Sequence, residues 1–330
     1  MQIPENTYNI IIIGGGPIGI ACALEAEKKG LSYLILEKGC LVNSLYHYPT
    51  NMTFFSTSEK LELNNIPFIS NNPKPGKREA LEYYRRIASN NHININLFEK
   101  VTSVTTRSEN EHLVKTSKRE YVAQNVVVAT GFYDIPNYLN IPGEDLPKVD
   151  HYYNDPHYYA TQKTVVVGAS NSAVDAALEI YRKGGDVTMV VRKPEIGKRV
   201  KYWVRPDILN RIEEGSIKVH FNSFLSRITD DEVEINTPEG QVTIENDFVL
   251  LLTGYRPNFD FLKDMGIRLS EDGRKIPEYD EETMETNIKG IYLAGVICGG
   301  VETHKWFIEN SRVHAEMIME HISKTKKDDN

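Results

Sequence analysis

Cysteine is scarce in this sequence. Among 330 residues there are three, Cys22, Cys40 and Cys298, far apart and odd in number. That excludes a disulfide framework. There is no CxxC and no Cys/His cluster at zinc spacing, so no metal is expected. An excess of positive charge is also missing. Thirty-eight Lys and Arg face 46 Asp and Glu, for a net charge of −8. A general nucleic-acid binder needs a basic surface to displace counterions, and so does a protein held on an anionic membrane. Long apolar runs are absent too. No stretch reaches the roughly 20 residues that a membrane span requires. The start, MQIPENTYNIIIIGGG, carries no basic segment, and its apolar run Ile10–Ile13 is too short for a signal peptide. The expectation is a cytoplasmic protein with no nucleic-acid or membrane partner. Nothing decides between a monomer and a homo-oligomer.

What is present is an ordinary globular composition, 40% hydrophobic and 25% charged, long enough for two domains. Residues 8–13 read as a buried strand, being short, continuous and rich in Ile. A glycine turn, an Ala-rich helix to about Lys29 and a strand at 33–37 complete a βαβ unit. Residues 40–76 are irregular and proline-rich. A helix is expected at 77–89, and short strands at 93–97, 101–106, 112–116, 120–123 and 125–129. Residues 132–163 read as a crossing. A second βαβ unit follows, with a strand at 164–167, a helix at 172–183 and a strand at 186–191. Strands near 217–221, 226–229, 232–236, 241–244 and 247–252 come next, then 291–294 and a last helix to about 323. The tail KTKKDDN reads as frayed. Each unit starts with an apolar strand and a glycine turn, and each ends on a buried strand followed by Thr-Gly. The expected fold class is α/β, with two Rossmann-like three-layer domains, the second inserted into the first. Residues 1–150 and 256–330 would form an FAD-binding domain, and 151–255 an NADPH-binding domain.

The first fingerprint is Gly14-x-Gly16-x-x-Gly19. Gly14 permits the tight turn, Gly16 lets a pyrophosphate approach the backbone, and Gly19 lets the helix lie close to the strand. The helix N-terminus offers free N–H groups and the positive end of its dipole. Glu37 stands eighteen residues beyond Gly19, where a carboxylate can accept both hydroxyls of an adenosine ribose. It would repel a 2′-phosphate, so this site takes FAD or NAD.

The second fingerprint keeps only the first glycine: Gly168, Ser170 and Ala173 occupy the three positions. Nineteen residues past Ala173 stands Arg192, where the first unit has a carboxylate, and Lys193, Lys198, Arg199 and Lys201 follow. A guanidinium there recognises a 2′-phosphate by charge-assisted, often bidentate, hydrogen bonds. NADPH is therefore expected over NADH. Hydride transfer between two bound rings needs no metal and no side-chain nucleophile, which agrees with the absence of any triad or carboxylate pair.

These features, with Ala129-Thr130-Gly131 and a late Ala294-Gly295 turn, resemble the flavoproteins of the low-molecular-weight thioredoxin reductase type. More narrowly, the chain resembles the bacillithiol disulfide reductases. The stretches that carry this are SLYHYPT at 44–50, TFFSTSEKL at 53–61, Pro67-Phe68, NSAVDAAL at 171–178, AGVI at 294–297 and FIEN at 307–310. The resemblance runs from about residue 8 to 320. It implies that Gly14, Gly16, Pro17, Glu37, Lys38, Ser44, Tyr46, Pro49, Thr50, Val101, Thr130, Gly131, Gly295 and Val296 surround FAD, with Gly19 and Ala129 completing their motifs. It implies that Gly168, Ser170, Asn171, Ser172, Ala173, Arg192 and Gly254 surround NADPH. The activity implied is NADPH-dependent reduction of a low-molecular-weight disulfide, by way of FAD.

Three departures stand out. The redox CxxC of thioredoxin reductases is missing. The wider group has Gly-Asp in the late turn, its Asp binding the flavin ribityl chain, where this chain has Gly295-Val296. Several bacillithiol reductases place a cysteine between the Pro and Gly of GGGPxG, and here that residue is Ile18. Cys298, three residues past Gly295, is left as the candidate catalytic thiol, since a helix N-terminus there would favour its thiolate. Cys22 and Cys40 read as packing residues, and His47, His151 and His304 as candidate proton donors. The alternatives are a ferredoxin or flavodoxin–NADP reductase with a protein acceptor, and a redox sensor that binds both dinucleotides but does not turn over.

Overall fold

In a computed structural model of the chain, residues 6–328 are described. They divide into two compact units. The first comprises residues up to Tyr46, Thr53–Ile135 and the C-terminal part from Arg256; the second comprises His47–Met52 and Pro136–Tyr255. The second unit is thus inserted into the first. Its main segment starts at residue 136, fifteen residues before the expected boundary at 151, because Val149–Asp150 forms an edge strand of the second unit's sheet.

The first unit is built on the strand Thr7–Ile13. Ile10, Ile11 and Ile12 are fully buried, as expected of a strand covered on both faces. It pairs in parallel with Tyr33–Leu36 on one side and Glu120–Val128 on the other. Glu120–Val128 is one continuous strand, not the expected two, and Gln124 in its middle accepts from the side chain of Asn9 at 2.7 Å. Its N-terminal half also joins the antiparallel strands Val101–Ser108 and Glu111–Thr116, and its C-terminal half pairs with Ile291–Leu293. The expected strand at 93–97 shrinks to Ile95–Asn96. The helix Pro17–Lys28 lies against the helix Val313–Asp328, which runs past the expected end near 323.

The register matters most. Ile13 lies opposite both Leu36 and Val128, and Val128 lies opposite Leu293. Four parallel strands therefore end level. The residues that follow them, Gly14, Glu37, Ala129 and Ala294, emerge at one edge of the sheet.

The second unit repeats the plan. Lys163–Val167 sits between Asp186–Val191 and Phe248–Leu251, all parallel, with Lys218–Phe221 beyond. Side chains alternate between faces. Val166, Val187, Met189 and Val191 pack toward the helix Asn171–Arg182, while Val165, Val167, Val190 and Leu251 pack toward the meander Phe224–Ile228, Glu232–Thr237 and Gly240–Glu245. Three layers result, and burial on both faces explains the unbroken valine runs. A helix at Arg205–Glu213, with Pro206 in its first turn, stands where the sequence pattern shows no element. Val167 aligns with Val190 and with Leu251, so Gly168, the residues after Val191 and Leu252 again share one edge.

Candidate functional site

Both glycine turns leave the carboxyl end of a central parallel strand, where ligands bind in open α/β sheets. At the first, Gly14 has φ +110°, and a Cβ there would stand 2.5 Å from the carbonyl oxygen of Ala129. Gly19 is tighter: its Cβ would lie 2.0 Å from the carbonyl oxygen of Gly14. At Gly16 and Gly131 the direction of a Cβ is open space, with nothing within 4 Å. Gly16 is the N-cap of Pro17–Lys28; no side chain caps that helix and its first turn holds no acid. The Thr130 hydroxyl is buried without a hydrogen-bond partner. Free amides, open space and an unpartnered hydroxyl fit a bound pyrophosphate dinucleotide.

Glu37 is 6% exposed. The Gly15 N–H donates to its Oε2 at 2.7 Å and the Gly39 N–H to its Oε1 at 2.8 Å. Burial pushes this carboxyl up against the opposing pull of those two amides. A carboxylate has about four acceptor sites, so it can hold a ribose as well as its own turn. Lys38 Nζ is 2.8 Å from Asp134 Oδ2. Val101 is buried at the start of its strand, and Ser44 and Tyr46 lie on the short helix Asn43–Tyr46. Pro49 and Thr50, expected with them, belong to the second unit, where the Thr50 N–H donates to the Asn154 carbonyl at 2.8 Å.

The late turn joins this edge. The Ala294 N–H donates to the Val128 carbonyl at 3.0 Å, and a Cβ on Gly295 would come 3.3 Å from Cγ1 of Ile18. Ile18 is a buried apolar contact of that turn. Cys298 is not the accessible thiol its position suggested. It lies in a single 3-10 turn, Val296–Gly299, is fully buried, and burial pushes its thiol well above the usual range. The cost of desolvating a thiolate there outweighs the pull of its own backbone amide and of Lys305. Cys22 is also fully buried, its thiol pushed up to about 12. Cys40 is partly exposed, with its thiol raised by burial and by Glu37. Of the proton-donor candidates, His304 is exposed, and His151 lies 3.7 Å from Glu144 in the second unit.

At the second turn Gly168 has φ +133°, with a virtual Cβ 2.5 Å from the Leu252 carbonyl oxygen. Ser170 caps Asn171–Arg182 without a side-chain hydrogen bond, and no acid occupies the first turn. Gly254, φ +92°, follows the neighbouring strand. Asn171 and Asp175 act away from the turn, on the basic loop. Asn171 Oδ1 accepts from the Lys201 N–H at 2.9 Å, its Nδ2 donates to the Arg199 carbonyl at 3.3 Å, and Lys201 Nζ lies 2.7 Å from Asp175. The Gly197 N–H donates to the Ala169 carbonyl at 3.0 Å. Lys201 is therefore a buried brace, 8% exposed, rather than a phosphate ligand. Lys198 pairs with Glu195 at 3.5 Å. Arg192, Lys193 and Arg199 are exposed. The one sequence signal for the brace was Asp175 at helical reach of Asn171; nothing tied it to Lys201.

Among the described residues no group of His, Cys, Asp and Glu is arranged to hold a metal, and no helix is long and apolar enough to cross a membrane. The pattern of the pyridine nucleotide-disulphide oxidoreductases matches residues 11–295. The bacilliredoxin reductase Bdr of Bacillus subtilis (strain 168) is 44% identical over 95% of this chain and 97% of its own length. The bacillithiol disulfide reductase Bdr (YpdA) from Staphylococcus aureus superposes with a TM-score of 0.94 at 38% identity, covering 98% of this chain and all of the other. Its counterpart from Bacillus cereus gives 0.94 at 41%, covering 97% and 99%.

Proposed function

This chain belongs to the pyridine nucleotide-disulphide oxidoreductase family, and from that premise we propose that it reduces a low-molecular-weight thiol disulfide, bacillithiol disulfide or a close relative, with NADPH and FAD. The overall balance is NADPH + H⁺ + RSSR → NADP⁺ + 2 RSH. When bound, NADPH supplies a hydride and FAD relays the two electrons to the disulfide. The chain's residues bind and orient. FAD belongs to the first edge, with its pyrophosphate on the amides after Gly16 and its adenosine ribose on Glu37. NADPH belongs to the second, with its pyrophosphate at Ser170–Asn171 and its 2′-phosphate on Arg192. The observation that carries this reading is the pairing of two equivalent glycine turns with opposite charges after the next strand, Glu37 in one and Arg192 in the other.

Neither Cys22 nor Cys298 is placed to exchange with the substrate. Ile18 stands at the position where several relatives carry a cysteine, and Cys22 and Cys298 are both sealed in the core. The acceptor disulfide is then reduced without a thiol at position 18. The test is anaerobic flavin reduction by NADPH and by NADH, followed by turnover with bacillithiol disulfide, cystine, glutathione disulfide, ferredoxin and flavodoxin. Faster reduction by NADPH and turnover with a small disulfide are expected. Equal rates with NADH would remove the Arg192 argument. Turnover with ferredoxin alone would make the chain a ferredoxin reductase, and flavin reduction without turnover would make it a sensor.

A further inference from the structure

Gly295 follows the strand Ile291–Leu293 with φ +86° and ψ −153°, a backbone state essentially reserved for glycine. Its N–H points away from the sheet ladder, and a buried amide needs a partner. That partner is a side chain nineteen residues on. The Gly295 N–H donates to Nδ1 of His314 at 3.2 Å. An amide can only donate, so Nδ1 must carry the lone pair and the ring must be the neutral Nε2–H tautomer. His314 is 2% exposed. Its ring meets Trp306 edge to face, 4.6 Å between centroids at 76°, and the Cys298 sulfur lies 3.9 Å from the same Nδ1. Burial lowers its pKa to about 4, which keeps the ring an acceptor at neutral pH. On the other side of Gly295 is Ile18, in the first turn of the helix that follows the first glycine turn. The 295–296 turn is thus pressed by Ile18 and tethered by His314.

We propose that His314 is a positioning residue for the flavin: by accepting the Gly295 N–H on its neutral Nδ1, it sets the orientation of the 295–296 backbone that faces the cofactor. This rests on the reading of Gly295 and Val296 as neighbours of FAD. Val296 brings no carboxylate to that turn, so only backbone groups are offered there, and their direction depends on what holds the turn. The tether comes from the helix Val313–Asp328, which has no glycine motif of its own.

The experiment compares His314→Asn, His314→Leu and Gly295→Val in the holoprotein. The Asn side chain keeps an acceptor oxygen where Nδ1 stands, one bond from Cγ, whereas Leu fills the space and removes the acceptor. FAD release on dilution, the visible absorption band and the flavin midpoint potential are read near neutral pH. His314→Leu is expected to hold FAD about tenfold more weakly, the loss of one hydrogen bond, with a displaced band and potential. His314→Asn is expected to restore all three. A merely structural tether would lower melting temperature without moving band or potential. Gly295→Val separates the two readings. If it keeps wild-type FAD affinity and spectrum, the turn does not face the flavin. If it loses FAD while His314→Leu keeps wild-type affinity, band and potential, the His314 proposal is overturned and the flavin site stands. Should His314→Leu not fold, His314→Ala, which removes the acceptor without filling the space, takes its place: weaker FAD binding with a displaced band and potential supports the proposal, and wild-type affinity, band and potential overturn it.

Discussion

At Gly14 and at Gly168 the backbone solves one problem twice. Each glycine has a positive φ, +110° and +133°, and each would bring a Cβ to 2.5 Å from the carbonyl oxygen of the residue that follows a neighbouring strand, Ala129 or Leu252. The turns diverge one helical turn later. Gly19 touches the carbonyl of Gly14 so closely that a methyl group would overlap it at 2.0 Å, whereas the second helix carries Ala173, whose Cβ lies 3.1 Å from the Cβ position of Gly168. The charges after the next strand diverge further. Glu37 is buried and tied to two amides of its own loop; Arg192 is exposed. The first site is therefore fixed in its chemistry by its backbone. In the second, the charge sits on an exposed side chain, and the loop after it is anchored by Asn171, Asp175 and Lys201.

The largest expected effect breaks the symmetry of the turns. Gly14→Ala and Gly168→Ala should each cost about 3 kcal/mol or more, from the positive φ and the overlap. Gly14→Ala should purify without flavin. Gly168→Ala should keep its flavin, reducible by dithionite, but lose reduction by NADPH. Normal NADPH reduction in Gly168→Ala would mean that the second turn is not a dinucleotide site. Next comes Lys201→Met, which leaves the Asp175 carboxylate without its partner. The cost should be about 3 kcal/mol, the lower end for a buried pair, because the two side chains are 10% and 20% exposed. It would be read as a lower urea midpoint of the second unit, and an unchanged midpoint would show that the loop needs no brace.

A smaller effect belongs to the exposed arginine. Arg192→Ala should weaken NADPH by roughly 1.5–3 kcal/mol, the range for a hydrogen bond to a charged group, and leave NADH untouched. A parallel loss for both nucleotides would point to a damaged fold rather than a lost phosphate ligand. The smallest effect concerns acid. His112 and His314, both in the first unit, have their pKa values lowered by burial, His314 to about 4. Each must be neutral in the folded state and can charge when unfolded. Their contribution is complete above the unfolded pKa near 6.5 and is lost as pH falls toward the folded pKa. One pH unit below 6.5, His314 alone should cost about 1 kcal/mol. Urea midpoints taken at neutral pH and near pH 5.5 test this, and His314→Asn should flatten the difference. A midpoint that rises on acidification would contradict the sign.

Much of this was legible from local pattern. The continuous runs at Ile10–Ile13 and 164–167 marked central strands because parallel strands are buried on both faces. The glycine turns were legible because each needs a residue without a Cβ at a fixed offset. The helix Arg205–Glu213 leaves little pattern in the sequence because it is short, opens on Pro206 and fully buries only Ile208. The break expected near Gln124 does not exist: a polar residue with a partner on the next strand, Asn9, does not end a ladder. Cys298 looked accessible by its nearness to Gly295 in sequence; its burial comes from residues far along the chain, among them His314.

By itself, then, the sequence determined the two dinucleotide units, their cofactor preferences and the absence of a cysteine at position 18, because these follow from residue type at short spacing. Tertiary structure decided the rest. It aligned the carboxyl ends of strands that lie far apart in the chain, so that Gly14, Glu37, Ala129 and Gly295 share one edge. It turned Lys201 from a phosphate candidate into a brace, buried the one cysteine near the late turn, and brought His314 to the Gly295 amide. Those outcomes depend on register and on desolvation, which are properties of packed neighbours, and no local run of residues carries them.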